Sequence, residues 1–264
     1  MANQPLGGLT IAVTRPRDQA VQLAQRIEQA GGIPLLFPLL EIEPAQDANR
    51  LHEQLARLAQ FDLAIFISPN AAQFGITAIR ADGGLPQALK IATVGQGSAK
   101  ALRASGVANV IAPTGRFDSE ALLALPELQN VTGWRVMIFR GDGGRELLGD
   151  TLKARGATVE YATCYRRSKP QQDVRVLLDA KPDALTVTSS EALGYLCQML
   201  DTCPEPSRRS NVQNALRDTP LFVPHARIAE LAKQQGWRQV HLTGSGDDGL
   251  ISALLAWGSG RTED

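Results

Sequence analysis

The sequence has few of the residues that disulfide scaffolds and metal centres require. Among its 264 residues there are three Cys and three His. The cysteines are odd in number and lack CxxC spacing, and the histidines lack ligand spacing, which disfavours a disulfide framework and a zinc site. These residues are Cys164, Cys197 and Cys203, with His52, His225 and His241. We therefore predict a protein of the reducing cytoplasm that holds no metal.

Excess charge of one sign and long apolar runs are also absent. The 27 Lys and Arg residues balance the 27 Asp and Glu residues. A neutral chain has no long-range field to attract nucleic acid or an anionic membrane, so neither partner is predicted. No uncharged stretch reaches the roughly 20 apolar residues that cross a bilayer, and the apolar run at residues 249–260 is about half that length. The first residues, MANQPLGG, lack the basic and apolar regions of a secretory signal.

What the sequence does have is a regular alternation of short β-branched runs and helical stretches, which predicts parallel sheets with crossover helices. At about 150 residues a domain, the length predicts two domains. The predicted strands are residues 9–14, 33–39, 61–68, 90–95, 109–113, 134–140, 158–164, 184–189, 220–224 and 239–243.

The two halves of the chain align with each other at offsets of about 121 to 130 residues. Residues 62–68 (DLAIFIS) match residues 183–189 (DALTVTS), and residues 11–15 (IAVTR) match residues 136–140 (VMIFR). We predict that one five-strand α/β unit occurs twice. The alternative is a chance match, because any two alternating α/β units share this rhythm.

The second strand of each half continues into an unusually long extended stretch, at residues 34–44 and 159–170, and both stretches end at a proline. Strands longer than their sheet can leave it and pair with each other, which predicts a two-stranded bridge between domains. The alternative is a long edge strand. Residues 202–211, rich in Pro, Ser and Arg, are predicted to form a surface loop, and the alternative is a disordered insertion without function.

Polar residues occupy the turns that follow the strands, where doubly wound sheets bind ligands. Ser, Thr and Asn there are also ordinary helix N-caps, which remains the alternative for each turn taken singly. Capping does not explain why Arg15 and Arg140 end the same strand in both halves, beside Gly-rich turns. An arginine with such a turn suits a carboxylate or phosphate. The candidate ligand-binding residues are Thr14, Arg15, Ser68, Asn70, Gly95, Gly97, Arg140, Gly141, Ser189, Ser190, His225 and Thr243.

Motifs for nucleotide cofactors and for covalent hydrolysis are missing. Gly95 and Gly97 begin a dinucleotide fingerprint, but Lys100 stands in place of its third glycine. Gly141 and Gly143 fail likewise, and there is no GxxxxGK[ST] loop or GxSxG elbow. We therefore predict no cofactor.

Tyr165 lies on the second extended stretch, where the floor of a cleft between domains would be. A phenol is ordinarily protonated at neutral pH and can donate a hydrogen bond or a proton to a departing oxygen. The alternative is a half-buried strand tyrosine that only packs its ring.

Taken together, several short motifs resemble the uroporphyrinogen-III synthase family over nearly the whole chain. They are AVTRP at 12–16, FISPNA at 66–71, ATVG at 92–95, Arg140-Gly141, Tyr165 and VTSS at 187–190. The resemblance implies an enzyme, a cyclising hydro-lyase of heme biosynthesis that uses no cofactor or metal. It would expel the terminal hydroxyl of hydroxymethylbilane as water, invert ring D through a spiro intermediate and close the ring to uroporphyrinogen III.

The resemblance also implies an architecture. It gives two similar domains with five-stranded, flavodoxin-like parallel sheets, joined by a two-stranded ladder as hinge, with a cleft between them. Residues 1–38 and 169–264 would form one domain, residues 45–163 the inserted one, and residues 39–44 and 164–168 the hinge.

The resemblance assigns protonation of the leaving hydroxyl to Tyr165 and contacts with substrate carboxylates to the strand-end turns. His225 lies on the same rim without an assigned role. The expected protein is a monomer that receives its substrate from hydroxymethylbilane synthase. Two alternatives stay open: a non-catalytic two-domain sensor for a polyanionic ligand, and a two-domain sugar-nucleotide transferase.

Overall fold

The computed structural model describes residues 4–144, 146–202 and 214–261. Apart from Thr202, the predicted surface loop at 202–211 lies outside the described residues, as does Cys203. The chain divides into two compact units, which we call the discontinuous unit (Met1–Glu41 with Ser168–Asp264) and the inserted unit (Ile42–Arg167).

Strands and helices alternate through the chain, as predicted. The strands are β1 (Thr10–Val13), β2 (Ile33–Leu36), β3 (Glu41–Pro44), β4 (Leu63–Phe66), β5 (Lys90–Thr93), β6 (Arg135–Arg140), β7 (Thr158–Thr163), β8 (Tyr165–Ser168), β9 (Ala184–Thr186), β10 (Leu221–Val223) and β11 (Val240–Leu242). The α-helices are α1 (Arg17–Gln29), α2 (Ala48–Leu55), α3 (Pro69–Ala81), α4 (Gln96–Ala104), α5 (Ser119–Leu123), α6 (Leu147–Ala154), α7 (Val174–Ala180), α8 (Ser190–Asp201), α9 (Ala226–Gln234) and α10 (Gly246–Ser259). Leu58–Gln60 and Pro126–Leu128 are short 3-10 helices, and residues 214–218 are helical.

The discontinuous unit contains a five-stranded parallel sheet in the order β11-β10-β9-β1-β2. Read in chain order within the unit, this is the flavodoxin arrangement. Alternate residues of β1 enter opposite cores: Ile11 and Val13 pack beneath α1 and α10, and Ala12 packs with the α8 side. Helices therefore cover both faces of the sheet, which explains its nearly continuous apolar strands.

The inserted unit contains a four-stranded parallel sheet in the order β5-β4-β6-β7. The fifth strand predicted at 109–113 is wrong as a strand. Only an isolated bridge between Ala92 and Ile111 forms there, through hydrogen bonds from the Ile111 amide to the Ile91 carbonyl and from the Thr93 amide to the Ile111 carbonyl. Pro113 has no amide hydrogen with which to extend this ladder.

The strand registers of the two sheets show the internal repeat, because residues that align between the two halves of the chain pair in the same way in both sheets. Ile11 pairs with Ala184 in one sheet, and the residues aligned with them, Val136 and Leu63, pair with each other in the other. The pairs β1 with β2 and β6 with β7 also share one register, since Thr10 faces Ile33 and Arg135 faces Thr158. Each sheet thus combines the first two strands of one half with the later strands of the other half.

The two long extended stretches are each divided into two strands. Residues 37–40, which include Pro38, separate β2 from β3, and Cys164 separates β7 from β8. β3 and β8 form a two-stranded sheet of their own. The pairing of the two stretches is as predicted. Their role as a bridge between domains and as a hinge stays a prediction.

None of the helices within the described ranges is long and apolar enough to cross a membrane.

Candidate functional site

The predicted ligand-binding serines begin helices at equivalent places in the two sheets. Ser68 precedes α3, and its hydroxyl accepts the Ala71 amide at 3.0 Å. Ser189 precedes α8, and its hydroxyl accepts the Ala192 amide at 3.0 Å. Both serines are therefore N-caps. Capping holds each hydroxyl at the carboxyl edge of its sheet, with the remaining amides of the helix end beside it.

In the discontinuous unit, the turn after β1 holds Thr14 and Arg15. The Thr14 side chain is buried, and its hydroxyl donates to the Thr186 carbonyl at 2.6 Å. Arg15 forms an ion pair with Asp247 in the first turn of α10. The Thr14 hydroxyl thus serves the sheet, and Arg15 already has an anionic partner.

In the inserted unit, Arg140 occupies the repeat position of Arg15 and is also paired. Its Nη1 lies 2.8 Å from Oε1 of Glu146, and its guanidinium carbon lies 4.6 Å from the ring centre of Tyr161. Burial raises the pKa of Tyr161 to about 12, and the neighbouring Glu146 carboxylate adds to this increase. The prediction placed the two arginines in equivalent turns, and in both turns a carboxylate of the same unit occupies the guanidinium.

The other predicted residues lie at the same strand ends. The Ser190 hydroxyl oxygen is buried and has no hydrogen-bond partner among the described residues. His225 is exposed at the N-cap of α9 without a capping hydrogen bond, and Thr243 donates to the Gly244 carbonyl at 2.9 Å. In the inserted unit, Asn70 lies in the first turn of α3, Gly95 is the N-cap of α4, and Gly97 lies in its first turn.

Tyr165 begins β8 and is 2% exposed. Its ring packs in the core of the inserted unit, with the ring centre 6.1 Å from that of Phe74. Its phenol oxygen lies 3.2 Å from the Ser68 hydroxyl oxygen, within hydrogen-bond distance. The ring therefore packs as expected for a tyrosine with a purely structural role, which was the alternative prediction. The phenol oxygen, however, faces the Ser68 hydroxyl at the sheet edge.

Gly141 makes this arrangement possible because its backbone passes directly over the phenol. A Cβ at position 141 would lie 2.8 Å from two ring carbons of Tyr165 and 3.2 Å from its oxygen. Real Cβ atoms do not approach other atoms that closely, so the glycine is required for contact rather than for flexibility. Gly141 was predicted as a ligand contact, and the structure places it against Tyr165.

Arg167 is the residue near Tyr165 that the sequence analysis missed. Its Nη2 lies 3.4 Å from the phenol oxygen, and its guanidinium carbon lies 5.8 Å from the ring centre. The available signal was position, since residues two apart on a strand share a face.

A polar cavity of about 530 Å³ lies in the inserted unit, bordered by α2, β7, β8 and the turn after β6. Its lining includes Arg140, Gly141, Glu146, Tyr161 and Arg167. Two of these residues, Gly141 and Arg167, also contact the phenol of Tyr165. Gly141 and Arg167 therefore lie between the cavity and the phenol of Tyr165.

Metal-ligating side chains do not gather in the described part of the chain, where no group of three His, Cys, Asp or Glu residues could hold an ion. Its free cysteines, Cys164 and Cys197, form no disulfide.

Fold and site define a class: a duplicated α/β protein of the flavodoxin type that presents N-capping hydroxyls, paired arginines and a buried phenol. Comparison with known proteins identifies the family. The model for uroporphyrinogen-III synthase HemD matches residues 21–249. Over 252 residues, the chain is 35% identical to the uroporphyrinogen-III synthase of Escherichia coli (strain K12), covering 93% of this chain and 100% of that protein. The synthase of Salmonella typhimurium is 34% identical over the same coverage.

Solved structures agree at the level of the fold. A mutant uroporphyrinogen III synthase from the extreme thermophile Thermus thermophilus superposes with a TM-score of 0.58 at 20% identity, covering 97% of this chain and 100% of that one. The synthetase from Helicobacter pylori 26695 gives 0.57 at 15% identity, covering 94% and 99%. The chain belongs to the uroporphyrinogen-III synthase family, whose members are lyases of heme biosynthesis.

Proposed function

We propose that this protein converts hydroxymethylbilane to uroporphyrinogen III, with inversion of ring D and loss of water. The observation that carries the proposal is the family match over residues 21–249, which spans both units. The match favours a synthase over the non-catalytic sensor. It also favours a synthase over the sugar-nucleotide transferase, for which the sequence offers no nucleotide motif.

Tyr165 is the proposed proton donor. In the first step its O–H bond breaks as the proton passes to the terminal hydroxyl, the C–O bond breaks, and water leaves an azafulvene-like cation. The proton that the last pyrrole releases on ring closure restores the phenol, so the protein ends unchanged. General acid catalysis of this kind contributes typically about 10²- to 10⁴-fold.

The acetate and propionate arms of the substrate are proposed to bind at the carboxyl edges of the two sheets. Support comes from the helix N-termini there, whose amides and dipoles favour anions. A guanidinium has five N–H donors. Arg15 and Arg140 can therefore each donate to a carboxylate of the substrate and keep the acidic partner that each already has. The proposed set is Thr14 (through its backbone), Arg15, Ser68, Asn70, Gly95, Gly97, Arg140, Gly141, Ser189, Ser190, His225 and Thr243.

Positioning is the larger part of the proposed catalysis. Many modest contacts would hold ring D folded, so that the cation is attacked at the substituted pyrrole carbon rather than at the free one.

We assign residues 1–38 with 169–264 and residues 45–163 to the two domains, with 39–44 and 164–168 as a hinge. Fluorescent labels on the two domains would test the hinge, since a distance unchanged by substrate contradicts it.

A coupled assay tests the function. Porphobilinogen and its deaminase generate hydroxymethylbilane in the reaction mixture, and the oxidised products are separated by isomer. A synthase shifts the product from isomer I to isomer III, a sensor binds without shifting it, and a transferase neither binds nor shifts it. Product that stays isomer I contradicts the proposal.

Direct handover by hydroxymethylbilane synthase, a monomeric state and a cytoplasmic location are parts of the same proposal. Analytical ultracentrifugation of the protein with and without that enzyme measures the first two. Fractionation of cells that produce the chain measures the third.

A further inference from the structure

Arg167 differs from its neighbouring arginines in having no acidic partner among the described residues. Arg140 pairs with Glu146 at 2.8 Å, and Arg166, the neighbour of Arg167 in β8, pairs with Glu43 at 2.5 Å. Within the same described ranges the Arg167 guanidinium forms no ion pair, and its polar contact is with the phenol oxygen of Tyr165 at 3.4 Å. An uncompensated cation is thus held beside a buried hydroxyl.

A second contact fixes the backbone of Arg167. Its amide donates to Oδ1 of Asp142 at 3.4 Å, in the turn that also contains Gly141. The two residues that touch the phenol from the cavity side are therefore tied to each other through this turn. Because Tyr165 and Arg167 lie two apart on β8, they share a face of the strand.

The direction of the hydrogen bond decides what the phenol can do. A guanidinium only donates, so the phenol oxygen accepts from Arg167 and its own O–H stays available to another acceptor. The Ser68 oxygen, 3.2 Å away, is one such acceptor, and the oxygen of a bound hydroxyl group would be another. This arrangement suits a group that must give its proton away.

Charge gives the second argument. A phenol that is 2% exposed becomes an anion in poor contact with water when it donates its proton. Burying an unpaired charge is costly, and a neighbouring cation offsets that cost. We propose that Arg167 is a positioning residue that acts through Tyr165, orienting its O–H and neutralising the phenolate formed as water departs. This inference rests on the proposed function.

The test measures kcat and KM in the coupled assay for Arg167→Leu and Arg167→Lys, each in the wild-type and the Tyr165→Phe background. Arg57→Leu is the control, since it removes another cation of the inserted unit, one paired with Glu160 at 3.1 Å. Urea unfolding of each variant confirms that it is folded. Because the Arg167 side chain is exposed, we expect its removal to be tolerated.

We expect Arg167→Leu to lower kcat about tenfold or more with little change in KM, the size of a lost hydrogen bond to a charged group. Arg167→Lys should recover part of the loss because it keeps the charge. In the Tyr165→Phe background, Arg167→Leu should cause no further loss, since the two residues act as one unit.

Three results would overturn the inference while leaving the function standing: an Arg167→Leu kcat within about twofold of wild type, a change in KM alone, or an equal loss in both backgrounds. If the wild-type protein yields isomer I alone, the proposed function and this inference fall together.

Discussion

The Ser68 hydroxyl lies 3.2 Å from the phenol oxygen of Tyr165, although 97 residues separate them in the chain. Ser68 is fixed by capping α3, and Tyr165 is fixed by packing its ring in the core of the inserted unit. Each residue would hold its place without the other. The fold itself therefore holds the two hydroxyl groups close together at the sheet edge.

Tyr165→Phe removes the phenol oxygen and keeps the ring. We expect kcat to fall about 100-fold or more because the proposed acid is lost. The free energy of unfolding should change by about 1 kcal/mol or less, since the hydrogen bonds removed are long. Tyr195→Phe, which removes a hydroxyl that contacts Glu191 on α8, is the matched control. Undiminished turnover by folded Tyr165→Phe would remove the acid role.

Gly141→Ala places a methyl group against the ring of Tyr165. We expect a loss of about 1–3 kcal/mol in the free energy of unfolding, because the tightly packed core has to shift. We also expect kcat to fall because the phenol moves. Urea unfolding and the coupled assay measure both changes. Gly143→Ala is the control, since its Cβ would meet no atom within 4 Å. Equal behaviour of the two variants would contradict the close packing.

Glu146→Gln removes the carboxylate that occupies Arg140. If Arg140 binds a substrate arm, the competing anion is gone and KM should fall about 1.5- to 5-fold, the strength of an exposed ion pair. Turnover should stay unchanged. Asp150→Asn is the matched control, because it removes a carboxylate from α6, the helix that begins directly after Glu146, and that carboxylate is paired with Lys153 rather than with Arg140. A higher KM for Glu146→Gln would show that the pair is needed to hold Arg140 in place.

The Cys164 thiol should be inert in the native protein. Burial raises its pKa to about 12, so at pH 8 about one molecule in ten thousand carries the reactive thiolate. Because the folded pKa exceeds the unfolded one, the contribution to stability is complete below about pH 9 and declines as the pH rises towards 12. Mass spectrometry after thiol labelling at pH 8 should find Cys164 labelled only when urea is present. Rapid labelling of the folded protein would refute its burial.

The predictable part of the fold is local or periodic. The predicted strands other than 109–113 contain strands of the structure, because short apolar runs bounded by turn residues leave little choice in an α/β chain. Ser68 and Ser189 could be placed at strand ends for the same reason. The strand predicted at residues 109–113 was wrong because strand pairing needs a free edge on the neighbouring strand and amide hydrogens to donate to it. Pro113 has no amide hydrogen.

The sequence alone determined the repeat, the α/β class, the family resemblance and the positions of the turns, since each is written in short-range patterns of residues. The tertiary structure decided which partner each arginine side chain has. It brought Asp247 to Arg15 and Glu146 to Arg140, and it left Arg167 beside a phenol. Arg15 and Asp247 lie far apart in the chain and meet only because the strand order brings their turns together. Spacing along the chain does not encode which carboxylate reaches which cation.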